Sequence, residues 1–202
     1  MPPGTYHLYA DVVFRNGFPE TETATLSLPA GLRDSPLGPE DASAAPPAIS
    51  DGQLGPHFKL PDGYTMQWDV PKSLTVNTPF NFVFHLIDPE GRPATDMQPY
   101  LGMPGHAAFV KTDGTAFAHT HPDGSAAMPA VMLANESSGP SMNGMAEMGG
   151  MAESSKMNMS AEPLSSTVSF PYGFPSAGTY RIFIQMKHGT TVETGVFDAT
   201  VN

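Results

Sequence analysis

YLGMPGHAAFVKTDGTAFAHTHPD, residues 100–123, is the stretch that decides the fold, and it holds three of the chain's seven histidines. Asp113-Gly114 stands between two short β-like runs, Ala107-Ala108-Phe109-Val110 and Ala116-Phe117-Ala118. An Asp-Gly pair favours a two-residue hairpin loop, because both central positions need positive φ. The register follows from the turn: Thr112 faces Thr115, Val110 faces Phe117, Ala108 faces His119 and His106 faces His121. Side chains alternate along a strand, so His106, His119 and His121 project from one face of the ribbon, together with Val110 and Phe117. Opposed Cβ atoms lie roughly 5 Å apart and residues two along a strand roughly 7 Å, the scale on which three imidazoles share one metal ion. A three-residue loop with a bulge would change the parity and send His106 to the other face. Histidines that pack among apolar neighbours without any metal are the alternative reading of the same pattern.

Around this ribbon the composition sets limits. A chain of 202 residues holds one full domain with an ample core. Nine basic against twenty acidic residues give a net charge of −11, which argues against nucleic acid and anionic lipid as partners and favours cations. Cysteine is absent, so disulfides, iron–sulfur clusters, thiolate copper sites and thiol catalysis are excluded. Any metal must be held by nitrogen, oxygen or thioether. No apolar run approaches the ~20 residues of a membrane helix, and an export signal, if one exists, lies outside this chain. Twenty-two prolines and twenty glycines, with frequent β-branched and aromatic residues, point to an all-β chain rich in turns.

Upstream, residues 3–28 form two alternating runs around Asn16-Gly17, a hairpin signal. Gly4-Thr5-Tyr6 matches Gly178-Thr179-Tyr180, so residues 1–28 read as a terminal hairpin resembling the end of a preceding, truncated domain. Residues 29–57 are rich in Pro, Ala and Gly and read as a linker or a surface strap, with His57 solvated. The main domain is expected over residues 58–202. Residues 64–70 and Leu74-Thr75-Val76 are candidate strands. Phe80, Phe82, Phe84 and Leu86 share one face of another, opposite His85, which is read as structural. Thr167-Val168-Ser169-Phe170 is a strand, residues 171–178 a turn, and Tyr180, Ile182, Ile184 and Met186 share the inner face of the next strand. Short strands with regular turns predict an antiparallel β-sandwich, immunoglobulin- or cupredoxin-like, carrying one long disordered insertion.

That insertion, residues 139–160, carries Met142, Met145, Met148, Met151, Met157 and Met159 among Gly, Ala, Asn and Glu. Thioether sulfur is soft and neutral, so clustered methionines suit Cu(I) and discriminate against Zn(II), Mg(II) and Ca(II). A methionine-rich interaction surface, or an oxidation sink, explains the same run without a metal. Met103, on the constrained turn Gly102-Met103-Pro104-Gly105, is a candidate soft ligand beside His106.

The residues YLGMPGHAAFV, FAHTHP and FPYGFPSAGTYRIFIQ together resemble a group of exported bacterial proteins with a GH motif, an HxHP motif and a closing hairpin. These are distantly similar to YtkA-like and cupredoxin- or immunoglobulin-like domains associated with heavy-metal handling. The resemblance implies a periplasmic or otherwise extracytoplasmic β-sandwich with His106, His119 and His121 at the motif positions. The expected function is metal binding, most readily copper: Cu(II) or zinc on the histidines and Cu(I) on the methionine run, in a chaperone, buffer or resistance role alongside a copper transporter or another periplasmic protein. A non-catalytic immunoglobulin-like module of a larger exported protein is the alternative. No general acid or base stands beside the histidines, and no serine triad or phosphate loop is present, so the chain is not read as an enzyme.

Overall fold

Alternation along the phenylalanine-rich strand builds the first sheet. In the computed structural model, which describes residues 3–16, 19–32, 46–122 and 164–202 with single residues 36, 38, 42 and 44, this strand is β5 (Pro79–Ile87). Phe82, Phe84 and Leu86 are fully buried, while Val83, His85 and Ile87 on the opposite face are half-buried. Antiparallel neighbours β4 (Thr65–Trp68) and β9 (Thr167–Gly173) flank it, and β3 (His57–Lys59) completes the order β3-β4-β5-β9. Strand β9 runs straight through Pro171, where a turn is expected from sequence. Pro171 lies on an edge strand, so its missing N–H breaks no internal ladder. Leu74-Thr75-Val76, the other expected strand, forms none; its carbonyl at Leu74 and N–H at Val76 bond instead to Asn202.

The second sheet is centred on β10 (Gly178–His188), paired on one side with β11 (Thr191–Val201). On the other side it meets β7 (His106–Lys111), which in turn pairs with β8 (Phe117–Thr120), and further along the same edge the two-residue β6 (Met97–Gln98). Tyr180, Ile182, Ile184 and Met186 point inward, as their spacing predicts, and meet Phe82, Phe84, Phe109, Phe170, Phe174 and Phe197. The two sheets and this apolar filling make an antiparallel β-sandwich. Full burial of each such side chain contributes roughly 1.5–3 kcal/mol, so this layer dominates stability.

Two further pieces lie on the outer surface of the second sheet. A bidentate ion pair from Arg181 to buried Asp198 (2.9 and 3.1 Å) holds residues 46–54 there: Arg181 also donates to the Pro47 carbonyl at 2.7 Å, and Leu54 N donates to Asp198 at 2.8 Å. Strands β1 (Gly4–Val13) and β2 (Pro19–Leu28) form the expected hairpin, a separate antiparallel pair. Among the described residues no helix is long and apolar enough to cross a membrane.

Candidate metal centre

The β7–β8 ribbon adopts the register read from Asp113-Gly114: Val110 pairs with Phe117, Phe109 with Ala118, Ala108 with His119 and Ala107 with Thr120. The turn differs in kind. Only Gly114 has positive φ (76°), its N–H donates to the Lys111 carbonyl at 2.9 Å, and Lys111 N donates to Ala116 O at 2.8 Å. The loop therefore spans residues 112–115, one residue longer on each side than a two-residue turn. Parity survives because both strands lose one residue together. Asp113 Oδ1 accepts from Thr115 N (3.0 Å) and Thr115 Oγ1 (2.6 Å), giving the loop its own internal closure.

Parity puts His106, His119 and His121 on the outer face, and the three rings meet. Their centroids lie 5.3 Å (106 to 119), 5.2 Å (106 to 121) and 4.7 Å (119 to 121) apart. One nitrogen from each can be chosen so that all lie within 4.8 Å of one another. The hydrogen bonds decide which nitrogens these are. His106 Nε2–H donates to the Tyr100 carbonyl at 3.1 Å, and His119 Nδ1–H donates to Asp11 Oδ2 at 2.8 Å. A carbonyl or a carboxylate only accepts, so in the neutral rings the remaining nitrogens carry lone pairs. Those two, His106 Nδ1 and His119 Nε2, face each other at 3.1 Å. Two lone pairs do not bond to each other; the space between them suits a proton or a cation. Two nitrogens on one tetrahedral ion at roughly 2.0 Å would stand roughly 3.3 Å apart.

Burial and charge both favour free lone pairs. His106 is 5% exposed. Its burial, with His119 and His121 nearby, pulls its pKa down to about 4 against the opposing pull of the Tyr100 bond. His121 is lowered in the same sense, chiefly by burial and then by His119. His106 and His121 thus keep nitrogen donors available at neutral pH.

Local backbone geometry supplies the support. Between β6 and β7 the chain leaves the sheet, and Tyr100 and Met103 close a tight turn through two bonds (2.8 and 3.0 Å) with positive φ at Leu101 (48°) and Gly102 (81°). This turn presents the Tyr100 carbonyl to His106, while the Tyr100 ring stands edge-on to the imidazole, centroids 5.4 Å apart. At Gly105 a Cβ would come within 2.7 Å of the Gln185 carbonyl, so only glycine lets the chain re-enter the sheet here. From the other side the β1 hairpin covers the ribbon in matched steps: Tyr9 stacks on Phe117 at 4.1 Å and 5°, and Asp11, two residues on, bonds to His119, also two residues on.

Of the residues singled out from sequence, the structure brings together His106, His119 and His121. Met103 is buried in the turn that supplies Tyr100. Met142, Met145, Met148, Met151, Met157 and Met159 lie outside the described residues. His57 is exposed, and His85 belongs to the opposite sheet, bonded to Thr167 Oγ1 (2.9 Å) and Asp69 Oδ2 (3.0 Å). Sequence reasoning missed Asp11 and the Tyr100 carbonyl, which orient two of the three rings. It also missed a second cluster, Asp62, His188 and Glu193, because His188-Gly189 reads as a turn.

Residues 59–202 match the model of a family described as a domain of unknown function (DUF8832), and the chain belongs to that family. No curated protein matches the chain. The matched stretch contains the three histidines and Tyr100, but not Asp11.

Proposed function

We propose, for a member of a family whose description assigns no activity, that this chain is an extracytoplasmic metal-binding domain whose principal ion is copper. The observation that carries the reading is the facing pair His106 Nδ1 and His119 Nε2 at 3.1 Å, each ring committed at its other nitrogen to an acceptor. Metal-bound histidines commonly donate their second N–H to a carboxylate or backbone carbonyl, which fixes the tautomer and raises ligand basicity. An all-imidazole donor set suits Cu(II) and Zn(II). The thioether-rich residues 139–160 select Cu(I), and Met103, on the buried turn that precedes His106, is the further soft donor we include. The two donor types together support capture and hand-over between redox states, a chaperone, buffer or resistance role without catalysis. The acidic net charge attracts cations to the surface.

Calorimetric titration of the tag-free full chain tests this. Cu(II) binds with one ion per histidine cluster, and deleting residues 141–160 removes most Cu(I) stoichiometry while leaving Cu(II) binding intact. Equal loss of both ions on that deletion would defeat the two-site arrangement. A protein that binds neither ion would be a structural β-sandwich module.

A further inference from the structure

The second cluster sits where the open end of the sandwich brings its two sheets together. His188 closes β10, Glu193 lies on β11 across from Met186, and Asp62 comes from the turn between β3 and β4 in the other sheet. His188 and Glu193 are each 6% exposed. His188 Nδ1–H donates to Asp96 Oδ2 at 3.2 Å, and the Tyr64 ring stacks on the imidazole at 4.0 Å. That leaves Nε2 as the lone-pair nitrogen, buried and without a hydrogen-bond partner. Asp62 Oδ2 lies 2.9 Å from it and Glu193 Oε1 3.9 Å, close approaches of which neither is a hydrogen bond.

We propose that Asp62, His188 and Glu193 form a second metal site, for a divalent cation of the zinc class, that ties the two sheets together. Their ligand atoms lie within 4.8 Å of one another, and the Asp96 carboxylate behind the ring plays the orienting part that Asp11 plays for His119. The donor set differs in kind from the histidine cluster. Two carboxylates and one imidazole offset a 2+ charge and lean towards Zn(II) or Mn(II), whereas three neutral imidazoles offset none. Asp62, with a third of its side chain exposed (32%), leaves a path for the ion from solvent.

The experiment uses chelator-stripped full-length protein carrying His119→Ala and His121→Ala, which disables the first cluster at its solvent-facing members. Zn(II) alone is titrated by calorimetry, and thermal unfolding is followed in parallel. The expected result is one Zn(II) per chain and a melting temperature that climbs with zinc. Adding Asp62→Asn or Glu193→Gln weakens binding by at least roughly 10-fold and abolishes the climb. Asp62→Asn, partly exposed, keeps the test sound if Glu193→Gln unfolds the protein. Absence of saturable Zn(II) binding in a background that retains its β-sheet circular dichroism would overturn the proposal. So would binding that both carboxyl variants leave unchanged.

Discussion

His119 is the residue at which the first site is most exposed to test, because its imidazole is part-exposed and its removal leaves the core untouched. His119→Ala should lower Cu(II) affinity by roughly 100-fold, and Asp11→Asn, which weakens the bond that orients the ring while leaving an amide oxygen able to accept from Thr21 Oγ1, by roughly 10-fold. Both variants should keep their folding stability within about 0.5 kcal/mol, as judged by urea unfolding of metal-free protein beside competition titration with a copper chelator. Two buried groups set opposing pH dependences in that metal-free protein. The His106 pKa falls from 6.5 to about 4 on folding, so its contribution is present above pH 6.5 and is lost as the unfolded chain takes up a proton on acidification towards 4. Glu193 rises from 4.5 to about 7, so its contribution is present below pH 4.5 and is lost as pH climbs through 7. Between pH 4.5 and 6.5 the two slopes oppose each other. Glu193→Gln should therefore make stability climb more steeply with pH across that window than in the parent, measured as urea midpoints.

At the level of elements, the excursion between β6 and β7 does more for the site than either strand. Its turn holds a leucine where both central positions need positive φ, a geometry that Asn-Gly adopts far more readily. Leu101→Asn should raise stability by about 1 kcal/mol, read from the thermal midpoint, with metal affinity unchanged because the Tyr100 carbonyl keeps its place. Gly105→Ala should act the other way. The added methyl meets the Gln185 carbonyl, costing about 1–3 kcal/mol in urea unfolding and loosening the site through displacement of β7 at His106. These elements also mark where sequence is a sufficient guide. The parity of the β7–β8 ribbon was legible because a two-residue and a four-residue loop centred on Asp113-Gly114 leave the same residues opposite one another, even though the loop is longer than Asp113-Gly114 alone implies. The passage of β9 through Pro171 was not, because proline at an edge costs nothing and the edge position of β9 is a property of the sheet.

Across the whole molecule the sandwich was readable from alternation, since period-two apolar faces such as Phe82, Phe84 and Leu86 must be covered by another sheet. Phe82→Ala should cost about 3–5 kcal/mol, detected by chemical unfolding, because its ring meets Phe109 and Phe174 edge-on (5.1 and 5.6 Å) across the middle of the core. The contacts that complete the two clusters were hidden for a physical reason. Asp11 is 108 residues from His119, and Asp62 reaches His188 only across the gap between sheets, so no local pattern announces either. The Asp11 bond carries one last consequence. A hairpin whose outward faces bear exposed Leu8 and Leu26 rests on the body of the protein partly through a side chain that also steadies an ion. Thermodynamic reciprocity then requires that whatever factor the seated hairpin adds to ion affinity, the ion adds to the seating of the hairpin. Protease cleavage within β1 and β2 should slow when copper is supplied and speed when it is stripped, which turns the hairpin into a gauge of occupancy that can be read on a gel.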